Sequence, residues 1–224
     1  MSVAVRSFEA IGRRSAGFFD QIGYGAVLFA QAIYWLLIGW RRRQPVRIGA
    51  VFYEMQQVGV AALPIATLLS GTIGLMLAIQ SLYSLGIFGA EAYAYIGIAL
   101  SVVREFSPLI MAILVAGRSG SAIAARLATM TINQEVDALQ VMGINPVRYL
   151  VTPVVIALAI MLPCLAMWAN LVSEFTAGLY VSAALNSCFG SFVHDSLSVI
   201  HVGYVYHCIG NSGLFGVLIP IVAV

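Results

Sequence analysis

The chain contains little charge for its length, and it contains no lysine. Only 9% of its 224 residues are charged, the eleven basic residues are all arginine, and the mean hydropathy is +0.97. A soluble domain typically carries about 25% charged residues. This chain therefore lacks the polar surface that a water-soluble fold needs. Its net charge of +2 is too small to indicate a nucleic-acid partner.

Motifs for metal, disulfide or nucleotide binding are also missing. The cysteines are Cys164, Cys188 and Cys208, and an odd number without a C-x-x-C pair argues against a disulfide framework or a zinc site. The sequence contains no H-E-x-x-H motif and no G-x-x-x-x-G-K-[ST] phosphate loop. We therefore predict no metal and no cofactor in this chain.

Long apolar runs are what the chain has instead. A bilayer core of about 30 Å needs about 20 apolar residues per helix. Apolar segments occur at residues 22–40, 58–85, 92–116, 150–171 (running on towards 185) and 200–224. The predicted fold class is an all-α polytopic membrane protein with about four to five transmembrane helices. We divide it into an N-terminal interfacial or membrane-embedded region, residues 1–57, and a transmembrane domain, residues 58–224.

The arginines orient these segments. Cytoplasmic loops are enriched in Arg and Lys. Arginines cluster before residue 58 and between residues 116 and 150, whereas the loops at 86–91 and 186–199 have none. The 116–150 connection is therefore predicted to be cytoplasmic. Segment 22–40 has arginines on both sides, so we predict an interfacial or re-entrant helix. A spanning helix that violates the charge rule is the alternative.

Small residues and a proline mark segment 58–85. Pro64 predicts a kink or tilt. Gly71 and Gly74 are spaced for close helix approach, and ordinary tight packing without a hinge is the preferred interpretation.

A compact polar stretch, NQEVDALQVMGINP at residues 133–146, interrupts the apolar sequence. Thr131 and Gln134 fit a capping box and Gly143 is a natural stop, which predicts a helix over residues 132–142. Its apolar residues share one face: Ile132, Val136, Leu139 and Met142. We expect this stripe to hold the helix on its own subunit while the acidic or neutral face meets a partner protein. A helix that floats at the membrane surface is the alternative.

Arg104 and Glu105 lie near the middle of segment 92–116. Each costs about 2.5–3.5 kcal/mol at that depth on insertion scales, so we expect them to face a polar cavity or a partner. Adjacent residues do not share a helix face. We therefore do not expect them to pair with each other, and Glu174 is a candidate partner for Arg104. Pro108 frees the carbonyl of Arg104 from its helical bond.

Residues 104–153, REFSPLIMAILVAGRSGSAIAARLATMTINQEVDALQVMGINPVRYLVTP, resemble the MlaE/YrbE permease family. These are the membrane subunits of ABC transporters that work with MCE proteins. The shared motifs are R-E-x-x-P at 104–108, A-G-R-x-G-S-A at 116–122, E-x-D-A-L-x-x-M-G-x-x-P at 135–146 and R-Y-L-V-x-P at 148–153. The match over this stretch is specific, and the flanking segments agree more loosely.

The resemblance implies a transporter subunit and not an enzyme. The polar helix, near residues 119–143, would be the coupling helix that sits in a groove of an ATPase, through Glu135, Asp137, Ala138, Leu139, Met142 and Gly143. ATP and Mg would be bound by that ATPase. Further implied partners are a second permease copy, an MCE-domain protein on the periplasmic side and a small STAS-like protein on the ATPase. The substrate would be a phospholipid or similar lipid moved between inner and outer membranes.

The implied location is the bacterial inner membrane, with a plastid envelope as the alternative. A lipid pathway would run past Arg104, Glu105, Tyr83, Gln80 and Leu77. The alternatives are a structural clamp for the two charges and ordinary packing for the other three. Family members usually continue to another transmembrane helix, so the last family helix is expected to be missing here.

A rival interpretation comes from a different class. Residues 117–120 read G-x-S-G and residues 207–210 read H-x-x-G, similar to rhomboid-type intramembrane proteases with Ser119 as nucleophile and His207 as base. Ser119 lies beside Arg118 at the end of its segment. No histidine precedes His194 to form the oxyanion hole that the resemblance requires, so this interpretation ranks lower. A truncated, non-transporting membrane scaffold is the third.

Overall fold

The computed structural model describes residues 48–223, together with Gly23 and Val27. Within 48–223 the regular structure is helical throughout. Four stretches there are long and apolar enough to cross a membrane: Ile48–Gly86, Glu91–Ile132, Val147–Leu185 and Val202–Ala223. They correspond to the segments predicted from residue 58 onward, which confirms the all-α polytopic fold. The helix predicted at 22–40 lies outside the described residues except for Gly23 and Val27, and the division at residue 57 stays a prediction.

The described α-helices are numbered here in chain order. The first five are α1 (Ile48–Val58), α2 (Leu63–Gly86), α3 (Ala94–Ser101), α4 (Ser107–Val115) and α5 (Ser121–Ile132). The others are α6 (Glu135–Val141), α7 (Thr152–Leu185), α8 (Phe189–Val199) and α9 (Val202–Ala223). Short 3₁₀ turns at Val60–Ala62 and Glu91–Tyr93 precede α2 and α3. Wider π-helical turns continue the helices at Val102–Phe106, Ala116–Gly120 and Val147–Val151.

Two of the π-helical turns come directly before a Ser-Pro or Thr-Pro pair. Val102–Phe106 precedes Pro108 by one residue, and Val147–Val151 precedes Pro153 in the same way. Proline removes one N–H and clashes with the carbonyl four residues earlier, and a wider turn relieves this conflict without ending the helix. At the second site Thr152 Oγ1 donates to Val147 O at 3.3 Å.

The break in the first long segment lies before Pro64. The chain leaves α1 at Gly59 and passes through a 3₁₀ turn, and Pro64 then occupies the first turn of α2, where its missing N–H costs no bond. Further along, α2 and α7 approach closely at Gly74, because a Cβ there would overlap the carbonyl oxygen of Ser173. A Cβ at Gly71 would lie 3.5 Å from Thr176 Cγ2, which is ordinary contact. Of the predicted glycine pair, Gly74 is thus the position of close approach.

The long helix α7 runs through the centre of the bundle. Its residues Leu158, Leu162 and Leu165 are buried and pack in one cluster with Met111 of α4 and Cys208 of α9. A second cluster near the other end of α7 joins it to α2, α3 and α8, through Ala78, Ile98, Ala177, Val181 and Phe192. Both clusters contain α7 residues, and together they include residues of every described α-helix except α6.

The predicted loop at 186–199 is largely the helix α8, and that prediction was wrong. Asn186 ends α7 in the left-handed conformation (φ 51°), and α8 begins three residues later. Phe189, Phe192 and Ser196 recur at helical spacing, and the last two are buried. Polar residues between them lower the average hydropathy, which hides the helix from a search for long apolar runs.

Candidate functional site

Helix α6 follows a sharp turn at one end of the bundle. Helix α5 extends to Ile132, and Gln134 then adopts the left-handed conformation (φ 58°) immediately before α6. Thr131 lies in the last turn of α5, and its Oγ1 donates to Leu127 O at 2.9 Å. The predicted capping box is therefore wrong, because the Thr131 hydroxyl bonds back along α5 and no side chain caps α6. The predicted start of the helix moves from 132 to 135.

The end of α6 is as predicted. Gly143 has a φ of +74°, which favours glycine. The Gly143 N–H donates to Gln140 O at 2.9 Å, and the Ile144 N–H donates to Leu139 O at 2.9 Å. These two bonds together form a Schellman motif, which satisfies carbonyls that the helix end leaves free. Helix α6 is therefore a short, well-terminated helix of 7 residues.

The side chains of α6 are largely exposed. Among the predicted coupling positions only Leu139 is half-buried, and the rest are exposed: Glu135, Asp137, Ala138, Met142 and Gly143. Val141 is 89% exposed and Ile132 is 80% exposed. Of the predicted apolar stripe, Val136 and Leu139 are half-buried, whereas Met142 is exposed and the turn at 133–134 assigns Ile132 to α5. Exposed apolar residues bordered by polar ones are typical of surfaces that contact another protein or a membrane.

An ion pair fixes the helix that carries α6. Arg126 Nη1 of α5 lies 2.7 Å from Glu54 Oε1 of α1. The Glu54 side chain is 10% exposed and the Arg126 side chain 40%. The two residues line a cavity of about 300 Å³ with Arg118 and Tyr53. Sequence reasoning missed this pair because its members lie far apart in the chain. The one available signal was that Glu54 is the only carboxylate in the stretch that leads into the second apolar segment.

Arg104 and Glu105 contact each other, contrary to expectation. Arg104 Nε lies 3.2 Å from Glu105 Oε1, and the two side chains are 56% and 63% exposed. Adjacent side chains diverge by about 100° in a regular α-helix, but these two lie in the wider π-helical turn Val102–Phe106. Glu174 is not the partner of Arg104, because both its carboxylate oxygens are buried without a hydrogen-bond partner among the described residues. This exposed charged pair thus lies partway along a membrane-length helix. Contact of such charged groups with the hydrocarbon core of a membrane is energetically unfavourable.

The α2 residues predicted for a lipid pathway divide into two groups. Tyr83 is 71% exposed, and Gln80 is exposed and donates through Nε2 to Ser84 Oγ at 3.3 Å. Leu77 is half-buried and packs against the second core cluster. No hydrogen bond or ion pair within the described part of the chain joins these side chains to Arg104 or Glu105.

The residues of the protease interpretation are not assembled. Ser119 is 6% exposed and lies in the π-helical turn before α5. His207 is exposed on α9, and its Nδ1 lies 3.2 Å from Asn211 Nδ2. No hydrogen bond joins Ser119 to His207 among residues 48–223. A serine nucleophile needs its base within hydrogen-bond reach, so this geometry does not support the protease.

Four stretches of membrane length, with a short exposed helix between the second and the third of them, define a multi-pass membrane protein. Residues 51–224 match the family model described as Permease MlaE. The chain belongs to the MlaE permease family, as residues 104–153 predicted. Membership makes it a transporter membrane subunit and not a catalytic enzyme.

Curated relatives agree with this assignment. A probable ABC transporter permease protein of Rickettsia felis is 28% identical over 215 residues, which cover 96% of this chain and 81% of that protein. One from Synechocystis sp. is 33% identical over 170 residues, 75% of this chain and 64% of that protein. The chloroplastic protein TRIGALACTOSYLDIACYLGLYCEROL 1 of Arabidopsis thaliana is 31% identical over 175 residues, 76% of this chain and 49% of that protein.

Proposed function

We propose that this chain is the membrane subunit of an ATP-driven transporter for phospholipid or a similar lipid, and that α6 couples it to a partner ATPase. The observation that carries the proposal is the exposure of α6, which presents Glu135, Asp137 and Val141 together at one end of the bundle. The names of the Rickettsia and Synechocystis relatives support an ABC permease. In this proposal ATP and Mg²⁺ are bound by the ATPase.

Helix α6 is also connected to the membrane-length helices in a way that would let its movement displace them. Helix α6 follows α5 after a turn of two residues, and α5 is joined to α1 by the Arg126–Glu54 ion pair. A displacement of α6 by an ATPase would therefore be passed to α1 as well as to the helices continuous with α5. The flanking arginines, Arg126 and Arg148, favour a cytoplasmic position for this end of the bundle, in a bacterial inner membrane.

The lipid part of the proposal has two supports. The name of the Arabidopsis relative contains that of a diacylglycerol lipid. In this chain, Arg104 and Glu105 supply exposed charged groups of both signs, and Gln80 and Tyr83 are exposed on α2. In this proposal two copies of the chain form a homodimer. The second copy would cover Arg104 and Glu105 and enclose a path for lipid. An MCE-domain protein and a STAS-like protein would complete the assembly.

The first experiment reverses the charge of α6. The tagged chain is purified in detergent from its native membranes, and the ATP hydrolysis of co-purifying protein is measured with and without added phospholipid. We expect the wild type to recover an ATPase whose activity phospholipid raises. The double variant Glu135→Arg, Asp137→Arg should lose that ATPase, because its surface carries the opposite charge.

The matched control is Glu91→Arg, an exposed carboxylate at the other end of the same long helical segment. It should keep the ATPase. Equal recovery with the α6 variant would show that α6 is not the coupling element. Recovery of the wild-type chain alone would favour the scaffold interpretation over transport.

A further inference from the structure

A second polar feature includes no residue of α6 and neither member of the Arg104–Glu105 pair. A cavity of about 460 Å³ lies between α7, α8 and the start of α9. Its wall is mostly apolar, and three polar residues reach it: Asn170 and Glu174 from α7 and Ser196 from α8. Helix α8 follows the C-terminus of α7 and packs back against it, so the cavity lies between α8 and the middle part of α7.

Close packing of α8 on α7 holds one wall of this cavity in place. A Cβ at Gly178 would lie 2.7 Å from Phe192 Cδ1, so α8 sits directly against the backbone of α7. The rings of Phe175 and Phe189 add an edge-to-face contact with centroids 5.6 Å apart. The cavity is therefore a built feature and not a gap between loosely placed helices.

The polar atoms in the cavity are hydrogen-bond acceptors in need of donors. Both carboxylate oxygens of Glu174, Oδ1 of Asn170 and Oγ of Ser196 are buried without a hydrogen-bond partner among residues 48–223. Asn170 and Ser196 are 8% and 4% exposed. The Asn170 amide nitrogen donates to Cys208 Sγ at 3.4 Å, which leaves its oxygen as the free acceptor. Leaving such acceptors unpaired is unfavourable, most of all for a carboxylate.

No basic side chain of the described residues compensates Glu174. Arg104, which follows the cavity-lining Val103, is paired with Glu105. His194 on α8 contacts Asp195, and its side chain is 85% exposed, outside the cavity. The cavity thus combines a carboxylate and two further acceptor oxygens with a positive charge still to be supplied.

The volume and the apolar wall of the cavity limit the kinds of ligand that it can bind. A water molecule takes about 30 Å³ of liquid, so 460 Å³ is far more than a bare ion needs. Apolar residues at the rim are exposed to the outside of the bundle, with Leu171 66% and Leu197 65% exposed. A ligand with an apolar chain can therefore extend from the cavity along the membrane-facing surface.

We propose that this cavity binds the primary ammonium group of an amphiphile, with Glu174 as counter-charge and Asn170 Oδ1 and Ser196 Oγ as further acceptors. An ammonium group has three N–H donors, which match the unpaired oxygens. The site is separate from the Arg104–Glu105 surface and does not depend on the transport proposed above. An aminophospholipid and a simple long-chain amine share this chemistry, and the test distinguishes them.

The test compares lipids that differ only in the headgroup nitrogen. The purified chain in detergent is titrated with phosphatidylethanolamine or with phosphatidylcholine of identical acyl chains, and bound lipid is counted by native mass spectrometry. Phosphatidylcholine keeps the positive charge but has no N–H donor. We expect phosphatidylethanolamine to bind at least about tenfold more tightly, the usual loss for a missing hydrogen bond to a charged group.

Variants locate the site. Glu174→Gln keeps the shape of the side chain, and it should abolish the preference while the thermal midpoint without lipid is kept or raised. Ser196→Ala should weaken the preference by a few-fold. Asp195→Asn lies on α8 outside the cavity, and Glu105→Gln lies in the other charged pair, so both should keep the preference.

Competition with dodecylamine identifies the source of the ammonium group. Displacement of phosphatidylethanolamine by dodecylamine supports recognition of the ammonium group. Binding of dodecylamine without binding of phosphatidylethanolamine also supports ammonium recognition, with a ligand that is not a phospholipid. The proposal is overturned if neither binds, if Glu174→Gln retains the preference, or if Glu105→Gln is the variant that loses it. It is equally overturned if sodium chloride at the same concentration displaces phosphatidylethanolamine as well as dodecylamine does.

Discussion

The two short helices outside the long segments, α6 and α8, differ in what covers them. Helix α8 buries Phe192 in the second core cluster and packs the ring of Phe189 edge-to-face against Phe175. Helix α6 leaves Val141 and Met142 exposed. Both helices carry carboxylates, so charge does not explain the difference. What differs is that α8 packs into the core of its own chain, whereas α6 leaves most of its surface exposed.

The largest expected effect tests this contrast through stability. Phe192→Ala should lower the free energy of unfolding by about 3–5 kcal/mol, the usual cost of truncating a buried phenylalanine. Val141→Ala is the control and should change it by less than about 0.5 kcal/mol, because that side chain is 89% exposed. The measurement is denaturation in mixed detergent micelles followed by circular dichroism. Similar losses for both variants would mean that α6 is also packed within its own subunit.

A smaller effect is expected where the α6 end is tied to the bundle. Glu54→Ala leaves Arg126 without its partner, and we expect a loss of about 1–2 kcal/mol because the arginine keeps partial access to water. The rate of amide hydrogen exchange in α5 should also increase in the Glu54→Ala variant. Glu91→Ala removes an exposed carboxylate and serves as the control. A double-mutant cycle with Arg126→Ala isolates the pair, and a coupling energy near zero would contradict the proposed anchor.

The smallest effect should be confined to α6. Gly143→Ala forces a Cβ into the left-handed conformation, at a cost of about 1–2 kcal/mol. Because α6 contributes no residue to either core cluster, we expect faster hydrogen exchange in α6 alone and an unchanged midpoint of global unfolding. Gly210→Ala is the control, since that glycine is helical and has open space around its Cα. A shift of the global midpoint by Gly143→Ala would show that α6 is coupled to the core.

The spanning helices were predictable because hydropathy alone determines them. Each long apolar run from residue 58 onward corresponds to a helix of sufficient length. The stop at Gly143 was predictable because a left-handed helix end is a local property of glycine. The capping box at Thr131 failed because the same hydroxyl can bond backwards, to Leu127, when the preceding residues are already helical.

What escaped prediction depends on distant residues or on altered helical geometry. The pairing of Glu54 with Arg126 joins two helices that the sequence places far apart. The contact between Arg104 and Glu105 occurs in a π-helical turn, whereas Pro108 predicted only a freed carbonyl and not this wider turn. Glu174 was predicted as a candidate partner for Arg104, and its actual surroundings became visible only when α8 was seen to be a helix.

The π-helical turns have a consequence for aligning this chain with its relatives. A π-helical turn holds about one residue more than an α-helical turn, so it behaves as a single-residue insertion inside a helix. Deleting one residue from Val102–Phe106 would restore a regular α-helix and leave the faces on either side of the turn in place, whereas the same deletion in a regular α-helix would rotate one side by about 100° relative to the other. A relative that lacks this turn would therefore need a one-residue gap at this point. Without the gap, every later residue of that helix would be assigned to the wrong face.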